Sequence, residues 1–179
     1  MLFALLDRFN AEVAAIDLSE ESPALLEQIR LARPDFLKEV DRARKRSGAT
    51  KEAMNLTLLA LAAAVLGMIK EMPQIVDTMV QKIRKRRADP HLRCALAGTL
   101  AYLVQPHDLI PDDAPGGYGL LDDCLLLRVA LREYLNVLPA SATEAEKQGQ
   151  YILLFGNILP LNVLPALQLA CLSAAFREA

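Results

Sequence analysis

Leu2, Leu5, Leu6, Phe9, Val13 and Ile16 recur at offsets of three and four, which places them on one face of a helix over residues 2 to 16. Ser22 followed by Pro23 has the form of an N-cap and a first-turn proline, and predicts the start of a second helix. That helix must end or kink before Pro34, because the residue ahead of a proline avoids the helical region. A further set of turns runs through Phe36, Leu37 and Val40 to the basic "RARKRSG", with Gly48 as its stop signal. From Lys51 to Glu71 the chain carries "MNLTLLALAAAVLGMI", apolar on nearly every face and rich in Ala and Leu, the pattern of a buried central helix.

Pro73 opens the next helix, which finishes in "KIRKRR", where cations complement the negative end of the helix macrodipole. Asp89 and Pro90 repeat the cap-and-proline signal for a helix from 90 to about 104, and Pro106 stops it. "LLDDCLLLRVALREYL" predicts a helix to about residue 136, with Asp122 and Asp123 in or near its first turn. Ser141 and Glu144 form a capping-box pattern ahead of "YILLFGNILPLNVLPALQLACLSAAF", which Pro160 and Pro165 should break. No stretch alternates with period two. The expected fold is therefore all-α, one domain over 1–179 built as a bundle of roughly seven or eight helices, with a Pro/Asp-rich helix-loop-helix hairpin at about 90–136.

Composition narrows the class. A chain of 179 residues buries about 70% of the surface its unfolded form exposes, so it needs no disulfide or metal staple. Hydrophobic residues at 53% against 23% charged exclude a disordered chain, and a net charge of -2 gives no global reason to bind nucleic acid. Cys94, Cys124 and Cys171 form no CxxC pair, which argues against a zinc site or a disulfide framework and for a reducing compartment. Asp7 and Arg8 break the first apolar run and no basic segment precedes it, so the reading is of a cytoplasmic protein without a signal peptide.

The densest cluster of turn residues and carboxylates is "PHDLIPDDAPGGYGLLDD", residues 106 to 123, with three prolines, three glycines and five aspartates between two apolar runs. Its "PHDLIP" is echoed by "PLNVLP" at 160 to 165, a match that a Leu-rich chain reaches readily by chance. Tyr102, Pro106, Asp108, Ile110, Pro111, Asp112, Pro115, Gly119, Asp122 and Asp123 stand in an order and spacing that resembles the YkvA-like family, small bacterial proteins sharing a helical-hairpin domain of unknown function. The resemblance covers about residues 90 to 130. It implies a helix, proline-rich loop, helix hairpin and membrane association in some members, and it implies no activity. His107 and the "DA" at 113 and 114 make this loop more polar than the family's usual apolar continuation. An inserted hairpin tip is disfavoured accordingly, at about 2.5 to 3.5 kcal/mol per intramembrane charge.

Asp108, Asp112, Asp113, Asp122 and Asp123 supply the oxygen ligands a hard divalent cation would need, but their spacing matches no calcium loop. In the competing reading Asp108 and Asp112 bond the backbone of the turn, while Asp122 and Asp123 sit at a helix N-terminus. His107 and His91 have no partner at ligand spacing. Gly116, Gly117 and Gly119 follow no strand, so they serve positive φ in a turn rather than a phosphate loop.

Two basic helix ends stand out: Arg42, Arg44, Lys45 and Arg46, and then Lys82, Arg84, Lys85, Arg86 and Arg87. The second run exceeds what macrodipole pairing requires. Without interleaved aromatics they point to lipid headgroups or an acidic partner ahead of nucleic acid. Residues 152 to 172 carry no charge over the length of a membrane span, but Pro160, Pro165 and three amides favour a kinked pair of core helices. The function expected is a non-enzymatic interaction module, peripheral at the cytoplasmic face of a membrane, with no cofactor and with a protein or anionic surface as partner. A divalent-metal enzyme built on the Asp cluster is the alternative, and an integral membrane protein is third.

Overall fold

The computed structural model describes residues 2–84, 90–103, 109–136, 142–163 and 165–167. Its order is α1 (Leu2–Ala15), α2 (Leu18–Ala32), α3 (Pro34–Ser47), α4 (Lys51–Lys70), α5 (Met72–Arg84), α6 (Pro90–Tyr102), a 3-10 turn (Pro115–Leu120), α7 (Leu121–Asn136) and α8 (Ala142–Ile158). The described residues contain no strand. The fold is an all-α bundle with eight α-helices among those residues, as the periodicity predicts.

The stop signals act as expected at several joints. Gly48 closes α3 in the left-handed region at φ 73 and donates its N–H to the Arg44 carbonyl. Thr50 caps α4 by accepting from Ala53 N. The start of α2 differs from the Ser22–Pro23 expectation. Asp17 is the cap, its carboxylate accepting from Ser19 N and Glu20 N, and Pro23 lies inside the helix. A carboxylate accepting two backbone donors is the stronger start signal, and the Ser22 hydroxyl turns back to the Leu18 carbonyl instead. Residues 89, 106 to 108 and 141, at which other caps and stops are expected, lie outside the described residues.

Buried apolar side chains from α1, α2, α4, α5, α6, α7 and α8 form one contiguous cluster, with Leu25, Leu66, Ile69, Met72, Leu125 and Phe155 among the fully enclosed. The α4 helix departs from the buried central helix predicted for it. Leu58, Ala62, Val65, Leu66 and Ile69 face the core, whereas Ala53, Leu56, Ala60 and Ala64 are exposed. Its outward face mixes alanines, whose small apolar area costs little to leave in water, with polar residues such as Lys51, Glu52, Asn55 and Thr57. The helical run Lys51–Gln81 is long and apolar enough to cross a membrane by length and composition, a test that core helices also pass.

The charge-free stretch from 152 contributes Phe155, Ile158, Leu159, Val163 and Leu167 to the core, and leaves Leu153 and Leu161 exposed. Its helix stops at Ile158, ahead of Pro160, as predicted. In the second half of the echo the turn is closed by backbone: Val163 N donates to Pro160 O at 3.0 Å and Ala166 N to Asn162 O at 3.2 Å.

Candidate functional site

The hairpin of α6 and α7 is stitched by its own motif residues. Tyr102, in the last turn of α6, donates its hydroxyl to Asp122 Oδ2 at 2.9 Å, and the same hydroxyl accepts the Leu109 N–H at 3.2 Å. One phenol thereby joins the end of the first helix, the loop and the first turn of the second. Ile110 is buried in the core, while Pro111, Asp112, Asp113 and Pro115 are exposed. Pro111 O accepts from Ala114 N at 2.9 Å to close the turn.

Gly116 and Gly117 take φ of 71 and 67, the left-handed backbone expected of them. Gly116 also lies against α2, so closely that a Cβ would stand 2.2 Å from Leu25 N. Gly119 has a different reason to be glycine: a Cβ there would meet Pro111 O at 2.3 Å, so the entry to α7 and the loop need its absence to pack. Positive φ is expected of all three glycines; at the third the requirement is steric.

Asp122 and Asp123 occupy the first turn of α7, as predicted, but they are not solvated caps. Their exposures are 0% and 1%. Burial pushes the Asp122 carboxyl up to about 6, against the opposing pull of the Tyr102 hydroxyl and nearby backbone N–H groups. Burial likewise pushes the Tyr118 phenol and the Cys124 thiol up to about 12, which leaves that thiol without nucleophilic character near neutrality.

Further along α7, Arg128 is 1% exposed. Nη2 donates to the Met68 carbonyl at 2.9 Å and to Glu71 Oε2 at 2.8 Å, and Nη1 to Gln148 Oε1 at 2.9 Å. The guanidinium also lies 4.6 Å from the ring centroid of Tyr151, over its face. It ties the C-terminal end of α4 to α8 through α7. Arg33, between α2 and α3, does the same elsewhere: it grips Asp35 with two nitrogens at 3.0 and 2.8 Å, and donates to the Gly156 and Leu159 carbonyls at the end of α8, both at 3.0 Å. Its hydrogen bonds hold the Asp35 carboxyl down to about 2.

Among the described residues no three of His, Cys, Asp or Glu stand close enough to share a metal ion. The structure separates buried Asp122 and Asp123 from exposed Asp112 and Asp113; Asp108, Pro106 and His107 lie outside the described residues. So do Lys85, Arg86 and Arg87, and the side chains of His91, Lys82 and Arg84.

The other basic helix end is α3, in which no residue is fully buried. Arg44 and Lys45 share Asp41, at 2.8 and 2.9 Å. Lys38 and Arg42 have no carboxylate within ion-pair distance among the described residues, and they line a surface groove of about 400 Å3 together with Arg30, Lys45, Asp41, Pro34 and Leu37.

Residues 92–127 match the model of DUF1232, described as a protein of unknown function. The matched segment runs from the first turn of α6 to the middle of α7 and contains the Tyr102-to-Asp123 motif. No curated protein and no solved structure matches the chain. The similarity covers the hairpin and is to a family without an assigned activity.

Arg128, Glu71, Gln148 and Arg33 did not stand out in the sequence. A lone arginine inside "LLLRVAL", four residues after a cysteine on an apolar face, is the one available signal, since a charge in such a place must be paired. Nothing local marks Glu71 or Gln148 as its partners, 57 and 20 residues away.

Proposed function

We propose that this chain is a non-enzymatic helical docking module, peripheral at the anionic cytoplasmic face of a membrane, with the Pro/Asp loop as a structural elbow. The resemblance of its loop motif to the YkvA-like family, in which some members are membrane-associated, agrees with this reading. The observation that carries it is the opposite orientation of two sets of charges. The motif tyrosine and Asp122 face inward and bond each other and the loop backbone, whereas Lys38 and Arg42 face outward without a carboxylate partner among the described residues. Each cation near an anionic bilayer contributes about 1 kcal/mol to attraction, so a few on one surface suffice for reversible binding.

Flotation with vesicles of phosphatidylcholine, alone or mixed with phosphatidylglycerol, tests it. The protein should float only with the mixed vesicles, and should be released as salt approaches about 1 M, where the screening length falls to about 3 Å. Equal flotation with both vesicle types, or with neither, would overturn the proposal. Release by detergent alone would favour an integral protein.

A further inference from the structure

We propose that the groove between α2 and α3 seats the phosphate of an anionic phospholipid headgroup, an assignment that rests on the membrane reading above and gives it a site. Lys38, Arg42 and Lys45 follow one another at i, i+4 and i+7, so one stripe of α3 presents three ammonium or guanidinium groups to the groove, and Arg30 of α2 adds a fourth. Asp41 is the one acid lining it and already bonds Arg44 and Lys45. Arg30 reaches Glu27 only at 3.4 Å, and Lys38 and Arg42 reach no carboxylate among the described residues.

Like charges at i, i+3 and i+4 destabilise the helix that carries them. With Lys38 and Arg42 left without a carboxylate among the described residues, the arrangement is complementary to an anion placed between them. A phosphate suits it because its oxygens can accept from several donors at once.

The surroundings favour a lipid source over an acidic peptide. Pro34 and Leu37 give the groove an apolar lining. These two apolar side chains among the groove cations fit an interface where acyl chains lie next to phosphates, and they gain nothing from a solvated acidic segment.

The test compares K38A/R42A with K51A/K70A, which removes the same charge from exposed positions at the two ends of α4, outside the groove. Binding of the full chain to phosphatidylglycerol-containing vesicles is titrated, and each variant's fold is checked by its thermal melt. At about 1 kcal/mol per groove cation, K38A/R42A should bind about tenfold or more weakly, and K51A/K70A within about twofold of the parent. Equal losses in the two variants would overturn the groove and leave the membrane reading standing. Absence of parent binding to anionic vesicles would overturn both. Binding of inorganic phosphate, or of a polyglutamate peptide, at Lys38 and Arg42 with no vesicle binding would overturn the lipid source.

Discussion

The arginine in the middle of α7 and the cations of α3 belong to helices of similar length, yet they stand in opposite surroundings. Arg128 is enclosed, with its charge met by Glu71 and its terminal nitrogens bonded to a carbonyl at the C-terminal end of α4 and to Gln148. Arg42 and Lys38 are exposed and meet no carboxylate among the described residues. Desolvation explains the difference in what each can do. A buried cation has to be matched inside the fold, because an unmatched one would be intolerable, so it organises helices. A solvated cation contributes little to stability and remains available for an external anion. The difference between the two regions is thus one between charge that shapes the bundle and charge that the bundle displays.

The same substitution made in both places gives the largest expected contrast. Arg128→Ala leaves the Gln148 amide and the Met68 carbonyl without their donor and removes the cation opposite Glu71. It should cost about 3 kcal/mol in chemical denaturation, chiefly from the buried acceptors left unpaired and the packing lost, since Glu71 is half exposed and can rehydrate. Arg42→Ala should change stability by less than about 0.5 kcal/mol. Comparable losses at the two positions would remove the distinction.

Gly119→Ala tests the hairpin without touching any charge. The added Cβ would fall 2.3 Å from Pro111 O and against the Asp112 backbone, where no flexible side chain can give way. The loop must shift from α7, at an expected cost of about 2 to 3 kcal/mol. The Tyr102 hydroxyl, which holds both pieces, should then lose protection measured by hydroxyl or neighbouring Leu109 amide exchange. A melt matching the parent would mean that the loop packs less tightly than its geometry requires.

These elements were not equally legible in the sequence. Helix number, the caps at Gly48 and the stop before Pro160 follow from local chemistry, and the local chemistry is what the chain carries on its surface. The start of α2 is ambiguous in the sequence because Ser22–Pro23 and Asp17 are both valid local signals, and only the completed helix decides between them. At Asp122 and Asp123 position was readable but environment was not: a first-turn acid looks the same whether solvated or enclosed. Arg128 lay furthest from view, since its partners come from α4 and α8 and no spacing rule connects residues 71, 128 and 148. The outward face of α4 is hard to tell from core for a related reason, since alanine fits buried and exposed surfaces alike.

Asp122 sharpens the comparison from the acidic side, with the smallest expected effect. Its folded carboxyl, pushed up to about 6 by burial, holds a proton more tightly than the unfolded chain, where the ordinary value near 3.8 applies. Below about pH 4 both states are protonated and the group costs nothing. As pH rises toward 6 the unfolded chain has already released its proton while the folded one retains it, so stability falls through this window. Above about 6 both states are ionised and the cost of the buried charge is complete, on the order of 3 kcal/mol. Asp122→Asn keeps an oxygen to accept from Tyr102 and abolishes the titration. The variant should therefore be more stable than the parent at pH 8, by about 1 to 2 kcal/mol, and should converge on it near pH 4. Urea melts of both proteins at pH 4, 5, 6, 7 and 8 follow the difference directly. An Asn variant that is weaker than the parent at pH 8 would show that the charge itself, and not its hydrogen bond to Tyr102, holds the hairpin together, and Asp122 would then belong with Arg128 among the charges that the bundle is built around.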